Sequence, residues 1–514
     1  MLRSWEMNFS FKASSDSPIY LQLADSVADK VGRGLLSPGS PLPGTRTLAK
    51  SLGIHRNTVS AAYEELIAHG WAASSPSRGT FITGEIPLRR VRTEELRPRT
   101  TVRGKETAKP ALKQMASRPR LCEPIAAQLY CCTDGASDVR LTPVCELSGA
   151  IRRAMKMQRN LVGADARGTT RLRSCIAEML RLSRGIAATK EEVITTRGRQ
   201  MGLYLTAQAT FSQGSVIAME QPGNRMAAEA FRLCQAEVVG VPVDREGIIV
   251  SRLQELSTLR RIDAVYVTPQ HQYPTTVSMS NRRRDALLQW ARQNNAVILE
   301  DDNDHEFEYA GSPLLPLASK APVGNIIHIG SFSRIFDSSV KLGYVRASRE
   351  IIHRMGEIRA LIDRQADPVL ESAFVELIQD GQVRRHIRKV REIYSSRRDL
   401  FAALLKREFG DRLRVEVPTG GLALWLQPEP DVNTQHWAEA AQRNGILFQP
   451  THEYYVDGTS HNNAHGIRIG FASANENELA RIATALRRSL PVSGVGATTQ
   501  GLTARDRMQA LKTA

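Results

Sequence analysis

The chain has 514 residues, of which 42% are hydrophobic, and it carries a formal net charge of +16. This length exceeds that of one compact domain, and the apolar content excludes a disordered chain. The excess of basic residues favours an anionic partner. No apolar run reaches the length of a transmembrane helix and no signal-peptide core begins the chain, so we expect a cytoplasmic protein without membrane contact. Its six cysteines show no metal-ligand spacing, so no metal site is expected.

Residues 42–81 carry the pattern of a helix, a tight turn, a second helix and a hairpin. Gly53 lies between the two helices, where a sharp reversal favours a residue without Cβ. An apolar stripe at helical spacing marks the buried face of the second helix, and it comprises Val59, Ala62, Tyr63, Leu66 and Ile67. A polar cluster opposite the stripe begins the same helix, and it comprises Arg56, Asn57, Thr58 and Ser60.

This pattern predicts an α+β winged helix-turn-helix domain over residues 14–84 that binds double-stranded DNA. The polar cluster would face the major groove, and Arg78 beside Gly79 at the hairpin tip would reach the backbone or the minor groove. The alternative is a small helical domain whose basic end is merely solvated.

The segment from Pro18 to Phe81 resembles the winged helix-turn-helix of GntR-type transcription regulators. The resemblance implies that Arg46 and Arg56 contact DNA. At His55 that family usually carries serine or threonine, which cap a helix well. Because imidazole caps poorly, we expect a less stable start to the second helix.

A basic segment follows the hairpin, and we interpret residues 85–124 as a flexible linker. Residues 84–120 hold eleven lysines and arginines against four acidic residues. Such a segment either serves as a solvated tether or also neutralises DNA phosphates, and its composition suits both roles. The last residues, 491–514, are expected to form a disordered tail.

Beyond residue 125 short apolar runs alternate with helical stretches. The predicted strands span 193–196, 216–220, 237–241, 264–268, 296–300 and 326–330. Runs that are apolar on both faces indicate an α/β domain over 125–490 with a mostly parallel sheet, and we expect a smaller C-terminal α+β subdomain. Ligands of such sheets bind at the carboxyl ends of the strands, where Gly198, His271, Asp301 and Ser331 lie. The chain has no P-loop and no G-x-G-x-x-G motif, which argues against ATP and dinucleotides.

Seven motifs at these strand ends carry a second resemblance. In chain order they are TRGRQ (196–200), EQPG (220–223), TPQHQYPT (268–275), EDDND (300–304), SFSR (331–334), KLGY (341–344) and RIGF (468–471). Together they resemble fold-type-I, PLP-dependent aminotransferases. Behind a GntR-like domain, this is the arrangement of MocR-type regulators. The resemblance implies PLP as a cofactor and a head-to-tail homodimer.

Several residues depart from the aminotransferase pattern. Arg334 stands where the family carries the lysine that forms a Schiff base with PLP, and a guanidinium cannot replace that amine because it stays protonated. Asn303 replaces a tyrosine that bonds the ring oxygen, and Asn224 replaces the aromatic residue that stacks on the ring. Arg199 replaces a small residue in the phosphate-binding turn. We therefore expect no catalytic residues and no transamination.

Other positions keep the residue or the charge that the family carries. Asp301 stands where the family's aspartate pairs with the pyridinium nitrogen, and Arg468 where it binds a substrate carboxylate. Lys341 takes the place of a phosphate-binding arginine. The full predicted pocket comprises Gly198, Arg199, Gln200, Asn224, His271, Tyr273, Asp301, Asn303, Ser331, Ser333, Arg334, Lys341 and Arg468.

The cations of this pocket admit two interpretations. The pocket either binds an anionic effector, such as a phosphate, a carboxylate or non-covalent PLP, or its arginines pair with Asp301, Asp302 and Asp304. Three functions follow: a DNA-binding transcription regulator whose large domain dimerises and senses a ligand, a PLP-dependent aminotransferase with an accessory DNA-binding domain, and a structural DNA-binding dimer without effector. Arg334 argues against the second.

Overall fold

A computed structural model describes residues 17–76, 79–84, 130–133, 135–157, 165–302, 304–311, 314–321, 324–336, 339–457 and 465–491. The predicted contact residue Arg78, the pocket residue Asn303, the linker 85–124 and the tail beyond residue 491 lie outside the described residues. The chain divides between Leu112 and Lys113 into two compact units.

In its described residues, the first unit has three helices and a hairpin. Its elements are α1 (Ile19–Gly32), α2 (Thr45–Leu52), α3 (Arg56–Ala68), β1 (Ala72–Ser75) and β2 (Gly79–Ile82). The two strands pair antiparallel, with Ala72 opposite Ile82. The predicted winged helix-turn-helix fold is therefore confirmed.

The turn and the buried face of α3 follow the sequence pattern, with one exception. Gly53 ends α2 in the left-handed region at φ 65°, a conformation that costs glycine little. Four stripe residues are buried, namely Val59, Ala62, Tyr63 and Leu66. The prediction for Ile67 is wrong, because this side chain is 40% exposed at the edge of the apolar stripe.

The second unit contains the remaining elements. Its strands are β3 (Tyr130–Cys131), β4 (Val193–Thr196), β5 (Val216–Gln221), β6 (Glu237–Asp244), β7 (Gly247–Ile248), β8 (Ala264–Val267), β9 (Val297–Asp301), β10 (Ile326–Ser331), β11 (Gly343–Arg346), β12 (Leu413–Glu416), β13 (Ala423–Pro428), β14 (Ile446–Leu447) and β15 (Ile467–Gly470). Its helices are α4 (Val144–Met157), α5 (Thr170–Arg184), α6 (Gly198–Thr210), α7 (Arg225–Leu233), α8 (Val250–Leu259), α9 (Asn281–Gln293), α10 (Arg349–Ile362), α11 (Pro368–Gln379), α12 (Gln382–Phe409), α13 (Thr434–Arg443) and α14 (Glu476–Ser489).

Eight strands form one large sheet in the order β4-β11-β10-β9-β8-β5-β6-β7. Neighbours from β10 through β9, β8 and β5 to β6 run parallel, whereas β11 pairs antiparallel with both β10 and β4. This confirms the mostly parallel sheet. Buried apolar side chains cover both of its faces, for example Ile298 in one cluster and Leu299 in the other. The central strands β5 and β8 are therefore shielded from water on both sides.

The smaller C-terminal subdomain is built on a three-stranded antiparallel sheet in the order β12-β13-β15. Helices α12, α13 and α14 pack with it around a separate apolar core that includes Phe401, Trp437 and Ile469. Strand β3 pairs parallel with β14 in a separate two-stranded sheet, so a chain segment that precedes the large sheet contributes to this subdomain. The predicted α+β subdomain is confirmed.

Candidate functional site

The start of α3 in the first unit presents an exposed polar surface. The side chains of Arg56 and Asn57 are exposed there, whereas Thr58 and Ser60 are half-buried. Arg56 Nε donates to Thr45 Oγ1 at 3.4 Å, which joins the first residues of α3 and α2. Arg46 is also exposed, at the second position of α2. The two arginines therefore lie on the two helices that flank the Gly53 turn.

His55 caps α3. Its Nδ1 accepts a hydrogen bond from the backbone N–H of Asn57 at 3.2 Å. An unprotonated imidazole nitrogen can accept a hydrogen bond as a serine hydroxyl does. The backbone N–H of Asn57 at the helix start therefore has an acceptor. His55 therefore does cap the helix, and the expected lower stability of this helix start stays a prediction.

A buried hydrogen bond anchors α3 from its apolar side. The hydroxyl of Tyr63 donates to the backbone carbonyl of Pro43 at 2.7 Å, just before α2 begins. Tyr63 is only 4% exposed. This contact fixes α3 against the segment before α2, so the polar start of α3 is presented on a rigid support. At the hairpin, Gly79 begins β2 at φ 72°.

In the second unit, helices begin where strands of the large sheet end. Helix α6 starts at Gly198, two residues after β4, and Gly198 adopts φ 75°. Asn224 caps α7, since its Oδ1 accepts from the N–H groups of Met226 at 3.1 Å and Ala227 at 3.3 Å. Gln200 Nε2 donates to the carbonyl of Met226 at 2.8 Å and links the two helix starts. Asn224 thus has a capping role that an aromatic residue could not fill.

Asp301 lies at the end of β9 with its side chain fully buried. Its Oδ2 accepts from the Tyr266 hydroxyl at 2.5 Å and lies 3.6 Å from Arg199 Nη1. Asn224 Nδ2 donates to the same tyrosine hydroxyl at 3.4 Å. Burial raises the pKa of Asp301 above its usual value, while Arg199 and the bond from Tyr266 oppose that rise. Arg199 therefore supplies the counter-charge for Asp301.

Asp304 lies close to two other arginines of the predicted pocket, Arg334 and Arg468. Arg334 Nη1 lies 3.1 Å from Asp304 Oδ1 and also donates to the carbonyl of Gly135 at 3.2 Å. Arg468 Nη2 lies 3.7 Å from Asp304 Oδ2, and its Nη1 donates to the carbonyl of Pro274 at 3.2 Å. These contacts agree with the interpretation in which the arginines of the pocket pair internally with Asp301 and Asp304.

Tyr273 packs beside this arginine pair, whereas His271 points elsewhere. The guanidinium of Arg468 lies over the Tyr273 ring, 5.1 Å from its centroid, and the Tyr273 hydroxyl donates to Gln449 Oε1 at 3.1 Å. His271 Nε2 is instead 3.2 Å from Glu308 Oε2. A Cβ on Gly420 would meet the His271 ring at 2.5 Å. The described contacts of His271 are thus with the 308 and 420 segments and not with the arginines.

A second part of the site, which we call the Lys341 corner, comprises the start of α6, Ser331, Ser333 and Lys341. Ser333 Oγ donates to the carbonyl of Val340 at 2.8 Å, and Ser331 Oγ accepts from the Ser333 N–H at 3.2 Å. A Cβ built on Gly198 would lie 3.7 Å from Ser333 Oγ and 3.9 Å from Lys341 Cδ. Lys341 is exposed. The start of α6, Ser333 and Lys341 therefore lie side by side.

A buried charge network on the opposite face of β9 was not predicted. Arg184 Nε donates to Asp302 Oδ2 at 2.6 Å and also pairs with Glu306. His328 places Nδ1 3.1 Å from Glu300 Oε2 and Nε2 3.5 Å from Asp302 Oδ2. The prediction that Asp302 pairs with the pocket arginines is wrong, because successive side chains of an extended segment point to opposite faces. This alternation within residues 300–302 was the available signal.

The comparisons with known proteins match these two units. Residues 135–497 match the family model "Aminotransferase class I and II", which spans more than half of the chain. The chain belongs to this family. Residues 19–82 match the model of "Bacterial regulatory proteins, gntR family" and cover the three helices and the hairpin of the first unit.

Two regulators align with most of this chain. The chain is 29% identical over 461 residues to "HTH-type pyridoxine biosynthesis transcriptional regulator PdxR" of Corynebacterium glutamicum, which covers 89% of this chain and 93% of the relative. It is 27% identical over 442 residues to "Probable rhizopine catabolism regulatory protein MocR" of Rhizobium meliloti, covering 85% and 87% of the two chains.

Solved aminotransferases share the fold of the second unit. The kynurenine aminotransferase of Pyrococcus horikoshii superimposes with a TM-score of 0.66 at 22% identity, over 71% of this chain and 91% of that chain. At this identity the likeness concerns the fold alone. Within the described residues, no helix is long and apolar enough to cross a membrane, and no cluster of potential metal ligands is found.

Proposed function

We propose that this protein is a DNA-binding transcription regulator whose aminotransferase-like unit forms no covalent link with PLP and catalyses no transamination. One observation carries the first part: α3 is anchored by its buried face and by Tyr63, and it presents Arg56 and Asn57 at an exposed start. A rigid helix with an exposed polar N-terminus is what a major groove accepts. The match to gntR-family regulators and the names of the full-length relatives agree with this role.

The cofactor that the aminotransferase family implies is PLP, and the residues present do not fit its covalent attachment. Arg334 stands at the position of the attacking amine, and its guanidinium is held by Asp304 and the carbonyl of Gly135. A guanidinium stays protonated and offers no nucleophilic lone pair. Lys341 lies beside Ser333 and the start of α6, where it suits a phosphate better than an aldehyde. The enzyme hypothesis therefore lacks its nucleophile.

A second candidate function, sensing of a phosphate-bearing effector, rests on the Lys341 corner. The backbone N–H groups that begin α6 and the Lys341 ammonium offer donors and positive charge at one place, beside Ser333, whose hydroxyl donates to the carbonyl of Val340. Non-covalent PLP is one ligand of this class. The competing hypothesis is a structural DNA-binding dimer without effector. A thermal-shift titration with inorganic phosphate and with PLP separates the two, because only an effector site gives a saturable shift that Lys341→Ala removes.

The DNA-binding part is tested with the full-length protein and an operator that it selects from random duplex DNA. Arg56→Ala should weaken binding to the selected operator by about 1–3 kcal/mol, because it removes a charged donor at the groove-facing helix start. Arg33→Ala is the matched control, since Arg33 is also exposed in the first unit but pairs with Asp29 on α1. An Arg56→Ala variant with unchanged affinity would remove the assignment of α3 as the recognition helix.

A further inference from the structure

The carboxylate of Asp304 occupies an unusual place in the second unit. Its side chain is fully buried, although the residue stands in the turn that follows β9. Its backbone lies in the left-handed region, with φ 61° and ψ 21°. Asp304 faces two guanidinium groups, with Oδ1 3.1 Å from Arg334 Nη1 and Oδ2 3.7 Å from Arg468 Nη2. Arg334 Nη1 also donates to Oδ2 at 3.5 Å. One carboxylate thus faces two arginines.

These two arginines come from different subdomains. Arg334 follows β10 of the large sheet, and Arg468 belongs to β15 of the three-stranded sheet. The turn that carries Asp304 also reaches the small subdomain through its neighbours, because the segment at Glu308 forms a bridge with Gly420 and Phe307 belongs to the small apolar core. The Arg334–Asp304–Arg468 group therefore connects the two subdomains through charge at a place where their apolar cores are separate.

Burial makes a negative charge at this point necessary. Arg468 is fully buried and only 16% of the Arg334 side chain is exposed. A buried guanidinium loses its hydration and needs acceptors in return. Backbone carbonyls at Gly135 and Pro274 meet part of that need without supplying charge. Asp301 has Arg199 at its Oδ2, and Asp304 is the described carboxylate that lies within ion-pair distance of both Arg334 and Arg468.

We propose that Asp304 is the resident anion of this site. Its carboxylate takes the place between Arg334 and Arg468 that the carboxylate of a small ligand would take, holds the two subdomains together, and closes this part of the site to carboxylates from solution. The proposal rests on the proposed function only in requiring that Arg334 stays a cation. Asp304 does not occupy the Lys341 corner, so a phosphate could still bind there.

The proposal predicts that a small carboxylate can replace the missing side chain. Asp304→Gly removes the carboxylate, leaves a space beside the two arginines, and suits the left-handed backbone. Its midpoint of thermal unfolding should fall by roughly 5 °C or more relative to the natural protein. Sodium formate should restore at least half of that loss in a saturable manner, whereas sodium chloride at the same ionic strength should not. The natural protein should respond equally to both salts.

A matched control separates loss of charge from loss of volume. Asp304→Asn removes the charge but keeps the space filled, so it should be destabilised without recovery in formate. A saturable stabilisation of the natural protein by formate or succinate would overturn the proposal. So would a folded Asp304→Gly variant that is as stable as the natural protein or indifferent to formate.

A double-mutant cycle keeps the proposal testable if Asp304→Gly does not fold. Arg334→Met should lower the unfolding midpoint in the natural background by several degrees more than in the Asp304→Asn background, because the ion pair is already lost there. Equal effects in both backgrounds would contradict the proposal. Operator binding is measured separately on the same variants, so a failure here is distinguishable from a failure of the DNA-binding assignment.

Discussion

At the scale of single residues, the buried imidazole of His328 has the clearest consequence for stability. It lies between the carboxylates of Glu300 and Asp302 with its side chain fully buried. Burial by itself lowers the pKa of His328, but the bonds with Asp302 and Glu300 prevail and raise its pKa to about 9. In the unfolded chain histidine titrates near 6.5. The native state therefore binds a proton that the unfolded chain releases between these values.

The sign of the resulting pH dependence follows from that difference. The stabilisation is fully present below about pH 6.5 and is lost as the pH rises through about 9. We expect the free energy of unfolding in urea to fall by about 3 kcal/mol over this window. His328→Gln should flatten the dependence, and His353→Gln, at an exposed position on α10, should leave it intact. A natural protein whose stability is constant from pH 7 to 9.5 would contradict the assignment.

At this scale the sequence allowed prediction of which residues line the site better than of the residues that each side chain contacts. The substitutions at Arg334, Asn224 and Arg199 were inferred from motif order along the chain and stay predictions. The sequence did not reveal that Asn224 caps α7, since a cap depends on the exact helix start. It assigned Asp302 to the wrong face of the sheet, and it did not reveal that His55 caps α3.

At the scale of elements, burial on both faces made the parallel strands predictable. The predicted strands 193–196 and 326–330 agree with β4 and β10 to within one residue at each end. Strand β11 was not predicted, although it lies between β4 and β10, because only two apolar residues stand between Gly343 and Arg346. Its Arg346 is buried and donates to the carbonyl of Ala187. A strand that ends in a charged residue lacks the long apolar run by which the other strands were predicted.

The basic linker remains a prediction, and its role can be measured by salt dependence. Replacing Arg89, Arg90, Arg92, Arg97 and Arg99 with glutamine should weaken binding to all duplex sequences and reduce the slope of log affinity against log salt, because fewer counterions are released. The control variant neutralises four exposed cations of α12, namely Arg384, Arg385, Arg388 and Lys389. If both variants keep the natural slope, the linker is only a tether.

At the scale of the whole molecule, we expect a homodimer. The resemblance to MocR-type regulators implies a head-to-tail pair, and the second unit exposes large apolar side chains such as Met157 (80%) and Leu361 (89%). Single exposed apolar residues are also common on monomers, so the expectation of a dimer rests on the resemblance. Sedimentation equilibrium at micromolar concentration should give twice the chain mass, and the selected operator should contain two half-sites. A monomer over the whole concentration range would contradict this.

The aminotransferase fold of the second unit was predictable, because seven motifs occur in order along 125–490. What that unit does was not predictable from the fold, since one fold carries many functions. Our inference that the unit does not catalyse transamination depends on Arg334, whose guanidinium contacts Asp304 and the carbonyl of Gly135. A regulator that uses the aminotransferase architecture without its imine chemistry is the central claim.

The visible absorption spectrum of the purified protein with added PLP tests this claim most directly. An imine between PLP and a lysine is conjugated with the pyridine ring and absorbs in the visible, and borohydride reduction fixes it to the chain. With Arg334 in place of the amine, we predict no stable visible band and no reduced adduct on any peptide. A stable band whose adduct maps to Lys341 or to another lysine would contradict the account and favour the aminotransferase hypothesis.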